Sequence, residues 1–415
     1  MFRPFLRLLL AGLPLLAWAA PDAVEFRARR EALRRANPGA LVYVQGGTEG
    51  ERGNIRTGFL QDSNFYYLSG WMEPGAAVLV GPDTDVLLLP EPDPARDRYT
   101  GAKQHAGSPD IAARTGFARV AAAKELAALA AAQPGARLLV SPSPAPEAFR
   151  VAAAGRETAS AVESIHQLRM VKSPAEIEMV QRSADVSMEA HKAAWRRMAP
   201  GVHEYQVAAT MGFVYFDAGC EHHAYPPIVA SGKNAIVLHY QRNKRRMDAG
   251  ELLLMDVGAE CGMYAADITR TVPVNGHFTS RQRELYNAVL ASADAAIAAA
   301  KPGVTFEKLN GIARETLKKA GTSKSGKTLD NYLTHFAGHG VGLDVHDPTG
   351  RTAPLEPGMI ITIEPGVYIP EEDTGIRVED MILITPGGAR NMTAALPRTA
   401  GEIERFLAAR PKARR

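Results

Sequence analysis

Cysteine is nearly missing from this chain of 415 residues, which carries only Cys220 and Cys261. With so little sulfur there is no disulfide framework, and any bound metal is expected to use oxygen and imidazole ligands. The two thiols could pair or could stay separate and buried. An excess of charge of one sign is missing too. Lysine plus arginine number 48 against 45 aspartates and glutamates, so nothing points to a nucleic-acid partner. Long apolar runs are absent beyond the N-terminus. Residues 1–19 place Arg3 and Arg7 before an apolar run from Leu8, followed by Ala17-Trp18-Ala19. That is the layout of a secretory signal peptide cut after Ala19, and the run is too short and proline-broken to span a bilayer comfortably. The expectation is an exported protein, periplasmic or secreted, without stable membrane insertion.

What is present suits a globular protein of two or three domains: 46% hydrophobic and 22% charged residues. Residues 22–36 predict an amphipathic helix with Val24, Phe26, Ala32 and Leu33 among its apolar positions. ALVYVQ, NFYYLSGW, AAVLVG and TDVLLLP follow as short strand-like runs, then an alanine-rich helix at 121–132 and the strand ARLLV. This alternation predicts an α/β domain over residues 20–165. A second domain over 166–408 opens at KSPAEIE, where Ser173, Pro174 and Glu176 spell a capped helix start. Helical patterns at 174–198 and 280–300 alternate there with strand pairs at 252–274 and 359–384, the pattern of an α+β domain. Residues 409–415 form a basic tail.

The stretch LLLMDVGAECGMYAADITRTVPV (252–274) holds two apolar runs with one aspartate each, Asp256 and Asp267. A hairpin turning at Glu260–Gly262 would set the two side chains face to face, with Cβ atoms roughly 4.5–5.5 Å apart. Carboxylates that close repel and are costly to bury, and a cation between them removes both penalties. The plainer alternative is a solvent-facing pair on an edge strand. Further donors lie downstream. HFAGHGVGLDVHD supplies His335, His339 and His346 among three glycines that admit close backbone approach. Glu364 ends an apolar run, and Glu379 sits in another with Arg377 on the same face by the strand period. Each alone has a structural reading, a loop histidine closing a turn or an acid at a strand end. Together they suit two hard or borderline divalent ions sharing carboxylates.

The order Asp256, Asp267, His339, Glu364, Glu379 resembles the five-ligand set of the pita-bread dinuclear metallopeptidases. The strings IVLHYQ, MDVGAE, DITRTVPVNG, GHGVGLDVHD, LEPGMIITIEPGVYI and GIRVEDMILIT are similar to those of the Xaa-Pro aminopeptidase (aminopeptidase P) family. The likeness continues back through RMVKSPAEIEMVQRSA and QDSNFYYLSGWMEPGAAVLV, so it covers nearly the whole chain after the signal peptide. It implies a C-terminal pita-bread (creatinase/aminopeptidase-like) domain preceded by a smaller α/β domain. It also implies an exopeptidase that releases the N-terminal residue of peptides with proline second, by attack of a metal-bridging hydroxide. The five residues would hold two divalent ions, manganese first with cobalt or zinc as alternatives, Asp267 and Glu379 bridging. Glu364 would also serve as general base. His239 and His346 would bind the scissile carbonyl and stabilise the tetrahedral intermediate. His335, Tyr368 and Arg377 would line the proline pocket or hold the metal shell. A homodimer or homotetramer is implied as well. The target makes physical sense, because an Xaa-Pro bond lacks an N–H and its ring fixes φ, which defeats extended-strand recognition. A prolidase acting on Xaa-Pro dipeptides and a non-catalytic binding module are the competing readings; the second should have lost ligands, and all five are present.

Overall fold

The computed structural model describes residues 20–49, 58–142 and 145–409; the expected signal peptide, and residues 410–415 of the basic tail, lie outside these described residues. In the N-terminal part, six strands form one mixed sheet in the spatial order 119–122, 85–89, 77–80, 40–45, 137–141, 158–160. The apolar runs become strands because both sheet faces are buried. Val42, Val44, Val78 and Leu87 enter one core cluster, while Leu41, Tyr43, Leu79 and Leu88 enter another.

Helix Ala23–Ala36 starts at Asp22, whose carboxylate accepts from the Glu25 amide. Its buried face differs from the expected one. Val24 is 75% exposed, whereas Arg30 is fully buried, its guanidinium held by Asp85 and the carbonyls of Leu68 and Gly116. Nor is NFYYLSGW a strand. It forms helix Ser63–Ser69, with Asp62 capping the Phe65 amide at 3.0 Å and Gly70 closing the end at φ 64°. Cap and terminal glycine override the strand preference of its aromatics. The alanine-rich stretch divides as well, into strand Arg119–Ala122 and helix Leu126–Ala131.

Helix Val162–Met170 leads into helix Pro174–Arg197, whose capping box forms as spelled. The Glu176 amide donates to Ser173 Oγ at 3.2 Å, and the Ser173 amide to Glu176 Oε2 at 3.0 Å. Helices Glu204–Asp217, Ser280–Ala299 and Phe306–Ala320 join it in packing against small antiparallel sheets. One sheet is built from 228–231, 252–256 and 269–273, another from 360–363, 380–385 and 388–391, and a hairpin from 366–369 and 374–377. Among the described residues no helix is long and apolar enough to cross a membrane.

Cys220 and Cys261 are bonded, tying the segment after helix Glu204–Asp217 to strand Ala259–Cys261 across a separation of 41 residues. Closing such a loop is worth about 3–4 kcal/mol. Reduction should therefore shift the denaturant midpoint downward by that equivalent; an unchanged midpoint would contradict the bond.

A second prediction concerns acid. His191, fully buried on helix Pro174–Arg197, lies 3.1 Å from the Ile268 carbonyl oxygen through Nε2. Burial lowers its pKa to about 3, helped by Arg270. Below about pH 6.5 the unfolded chain takes up a proton that the folded imidazole refuses, so stability falls as pH drops from there towards 3. Replacing His191→Gln should flatten the acid slope by about 1.4 kcal/mol per pH unit in denaturant titrations between pH 6 and 4. An identical slope would show that other groups set it.

Candidate metal centre and active site

Strand Leu252–Asp256 ends at Asp256, whose partner in the antiparallel register is Thr269 rather than Asp267. The two aspartates are thus a diagonal pair, not the face-to-face pair expected, because Cys261 pairs with Tyr264 and the hairpin turns at Gly262-Met263, one residue later than direct Asp256–Asp267 pairing needs. Both still reach one cavity. Tyr225 joins them, its hydroxyl 2.6 Å from Asp256 Oδ1 and 2.5 Å from Asp267 Oδ1. One phenolic proton cannot serve both oxygens.

Glu364 and Glu379 come from a second ladder end. Ile363 pairs with Asp380, so the next step of that register sets Glu364 opposite Glu379. The Glu379 amide donates to the Thr269 carbonyl at 3.1 Å, and Thr269 Oγ1 donates to Glu379 Oε2 at 2.7 Å, which locks the two ladder ends together. His339 closes the group from a loop. Its Nδ1 lies 3.0 Å from the Gly340 carbonyl, which can only accept, so Nδ1 carries the proton and Nε2 faces Asp267 Oδ2 and Glu364 Oε1, each at 3.4 Å.

Three overlapping trios have donor atoms within 4.8 Å of one another: Asp256, Asp267, Glu379; His339, Glu364, Glu379; and Asp267, His339, His346. Asp267, His339 and Glu379 each belong to two. The electrostatics fit a cationic occupant. Burial, then the neighbouring carboxylates, raise Asp267 and Glu379. Burial likewise pushes Glu364 up to about 7. Burial would raise Asp256 too, but Arg377 beside it wins and holds it low. Burial lowers His339, yet Asp267 and Glu364 carry it to about 9. One arginine and one imidazole do not neutralise four carboxylates, and oxygen-rich donors with one imidazole suit divalent ions.

A chain of hydrogen bonds backs this wall. Arg377 reaches Asp256 through Nη2, Thr269 Oγ1 at 3.0 Å through Nε, and the Tyr368 hydroxyl at 2.6 Å through Nη1. Tyr368 in turn donates to His335 Nε2 at 2.9 Å, and His335 Nδ1 donates to the Phe336 carbonyl at 2.8 Å. Burial, with Arg377 nearby, keeps His335 neutral, its pKa down at about 4. Tyr368 is the one expected substrate-binding residue that does not line the cavity; it stands behind it. Asp256, Asp267, His335, His339, Glu364, Arg377 and Glu379 do line that space of about 480 Å³, as do His239 and His346 on its exposed rim. The His346 ring lies 4.1 Å from that of His339.

Sequence reasoning missed Tyr225, Thr269 and Phe336. Thr269 could have been found, since it follows Asp267 by one strand period. Tyr225 had no local signal, because it is brought in by a segment far from the hairpin.

Residues 178–386 match the model of metallopeptidase family M24, and residues 26–136 that of the aminopeptidase P N-terminal domain. The chain belongs to metallopeptidase family M24. It is 32% identical over 389 residues to Xaa-Pro aminopeptidase 3 of Mus musculus, covering 84% of this chain and 76% of that protein. It is 31% identical over 424 residues to the Xaa-Pro aminopeptidase of Haemophilus influenzae, covering 92% and 97%. Among solved structures, aminopeptidase P from E. coli with the inhibitor Pro-Leu superposes with a TM-score of 0.86 at 28% identity, covering 94% of this chain and 99% of the other. The M24 assignment agrees with a pita-bread domain behind a smaller α/β domain.

An M24 site built on like charges should depend on metal for stability as well as turnover. Chelation should lower the thermal midpoint, and added Mn²⁺ should restore it, by about 2.7 kcal/mol when free metal is 100-fold above Kd. A midpoint indifferent to chelator and metal would argue against the centre.

Proposed function

We propose that this chain is a metal-dependent aminopeptidase that removes the residue ahead of a penultimate proline. The observation that carries the reading is the convergence of Asp256, Asp267, Glu364, Glu379 and His339 on one cavity rimmed by His239 and His346. Those five residues would hold two divalent ions. Bound there, the ions would make a water nucleophilic at neutral pH and polarise the scissile carbonyl. Glu364, which lines the cavity beside His339, would take the water's proton and return it to the leaving proline nitrogen. His239 and His346 are free to donate to the carbonyl oxygen as charge builds on it. Asp256, kept ionised by Arg377, would face the free amino terminus of the peptide.

Manganese is the proposed metal, on the strength of four carboxylates and a single imidazole. Export to the periplasm or beyond is proposed from the pattern of residues 1–19, and the Cys220–Cys261 bond supports it, since disulfides persist in oxidising compartments. A homodimer or homotetramer is proposed on the family resemblance, and sedimentation would decide it.

The deciding assay is a length series on the manganese-loaded protein. Ala-Pro-Ala and longer peptides should be cleaved in preference to Ala-Pro, and Ala-Ala-Ala should be spared. A strict dipeptide preference would turn the assignment to prolidase. Glu364→Gln should lower kcat by about 10²–10⁴-fold, and near-wild-type turnover would remove Glu364 from its role.

A further inference from the structure

The string GHGVGLDVHD folds into a closed loop whose neck is a single antiparallel bridge, with the Asp347 amide donating to the Gly340 carbonyl at 2.9 Å. His339 and His346 each stand one residue before a member of that bridge. Among the described residues no hydrogen bond holds the His346 ring, which meets His339 edge-on, so the backbone beside it has a large part in its placement.

That backbone is fastened by the Asp347 side chain, which turns back into the loop. Its carboxylate accepts from the Asp344 amide at 3.2 Å, Lys172 Nζ at 2.9 Å and Arg169 Nη2 at 2.5 Å. Two glycines make the fold-back possible. A Cβ on Gly342 would stand 2.7 Å from Asp347 Oδ2 and 2.9 Å from Lys172 Cε, and one on Gly340 would stand 1.8 Å from Thr349 Oγ1. Arg169, Lys172 and Asp347 are all buried, at 2%, 4% and 5% exposure. Two cations therefore meet one buried carboxylate, and Asp344 supplies the second, its Oδ2 2.6 Å from Arg169 Nη2. The first domain closes the outer side. Asn64 Oδ1 accepts from Arg169 Nη1 at 2.6 Å, and the Ser63 hydroxyl donates to Asp344 Oδ1 at 2.6 Å.

We propose that Arg169, on helix Val162–Met170, and Lys172, just after it, are positioning residues for His346 and act on it through Asp347. The inference rests on the aminopeptidase reading for the role of His346. Arg169, Lys172 and Asp347 do not line the cavity, so they have no route to substrate except through the loop. The first domain thereby acquires a catalytic consequence, because helix Ser63–Ser69 holds the same arginine.

The test is a double-mutant cycle on Ala-Pro-Ala hydrolysis by the manganese-loaded full chain. Asp347→Asn should lower kcat by about 10–100-fold, the cost of a misplaced catalytic group, with KM little changed. In a His346→Ala background the same substitution should cost nothing further, since both act through one side chain. Arg169→Lys keeps the charge but not the fork. It should lose kcat several-fold, again only when His346 is present, and it serves where Asp347→Asn fails to fold. Losses that multiply in the double variants would overturn the proposal, as would an unaltered kcat. A wild-type protein inert on this peptide would instead sink the aminopeptidase reading itself.

Discussion

Mutual repulsion among Asp256, Asp267, Glu364 and Glu379 is the constraint around which the second domain is arranged. Four acids share one cavity with two of them at or below 5% exposure, an arrangement that is unfavourable unless positive charge is supplied. The chain supplies part of it. Arg377 neutralises Asp256, and the imidazole of His339 lies between Asp267 and Glu364. The remainder is a net negative charge that bound divalent metal would offset.

Placing those acids falls to two ladder ends that meet. One ends at Asp256 and Thr269, the other at Ile363 and Asp380, and the Thr269–Glu379 contacts join them. Strands give the positions rigidity, and the carboxylates sit just where pairing stops and side chains can turn towards one another. The histidines come from irregular segments instead, so each needs bracing of its own. His339 obtains it from Thr362 and Gly340, and His335 from Tyr368 and Phe336. A buried network of this kind fixes ring orientation because every donor has an acceptor.

Much of this was visible in the order of residues. Acids embedded in apolar strands are anomalous on their own, so Asp256, Asp267, Glu364 and Glu379 announce themselves, and glycine-spaced histidines do nearly the same. The register of the aspartates was not visible, because where a hairpin pinches depends on its turn and on contacts beyond it. Tyr368 was expected to line the proline pocket or hold the metal shell, and it stands behind the cavity wall bonded to Arg377; period two says which face a residue shares but not its depth. Tyr225 and the Asn64–Arg169 bond depend on segments distant in sequence, for which no local pattern exists. NFYYLSGW misled for another reason: its caps, Asp62 and Gly70, lie at the margins of the run, while its aromatics dominate the composition.

The donors that form the centre are drawn from separate hairpins and a loop, and only the finished tertiary structure brings any three of them within reach of one ion. An extended chain offers isolated acids and imidazoles with no chelating arrangement, so it has little claim on scarce cations. Loading therefore comes late. A polypeptide crossing a membrane unfolded would travel empty and draw its ions from the compartment where it folds, so the metal supply there, rather than at the ribosome, would govern what it carries.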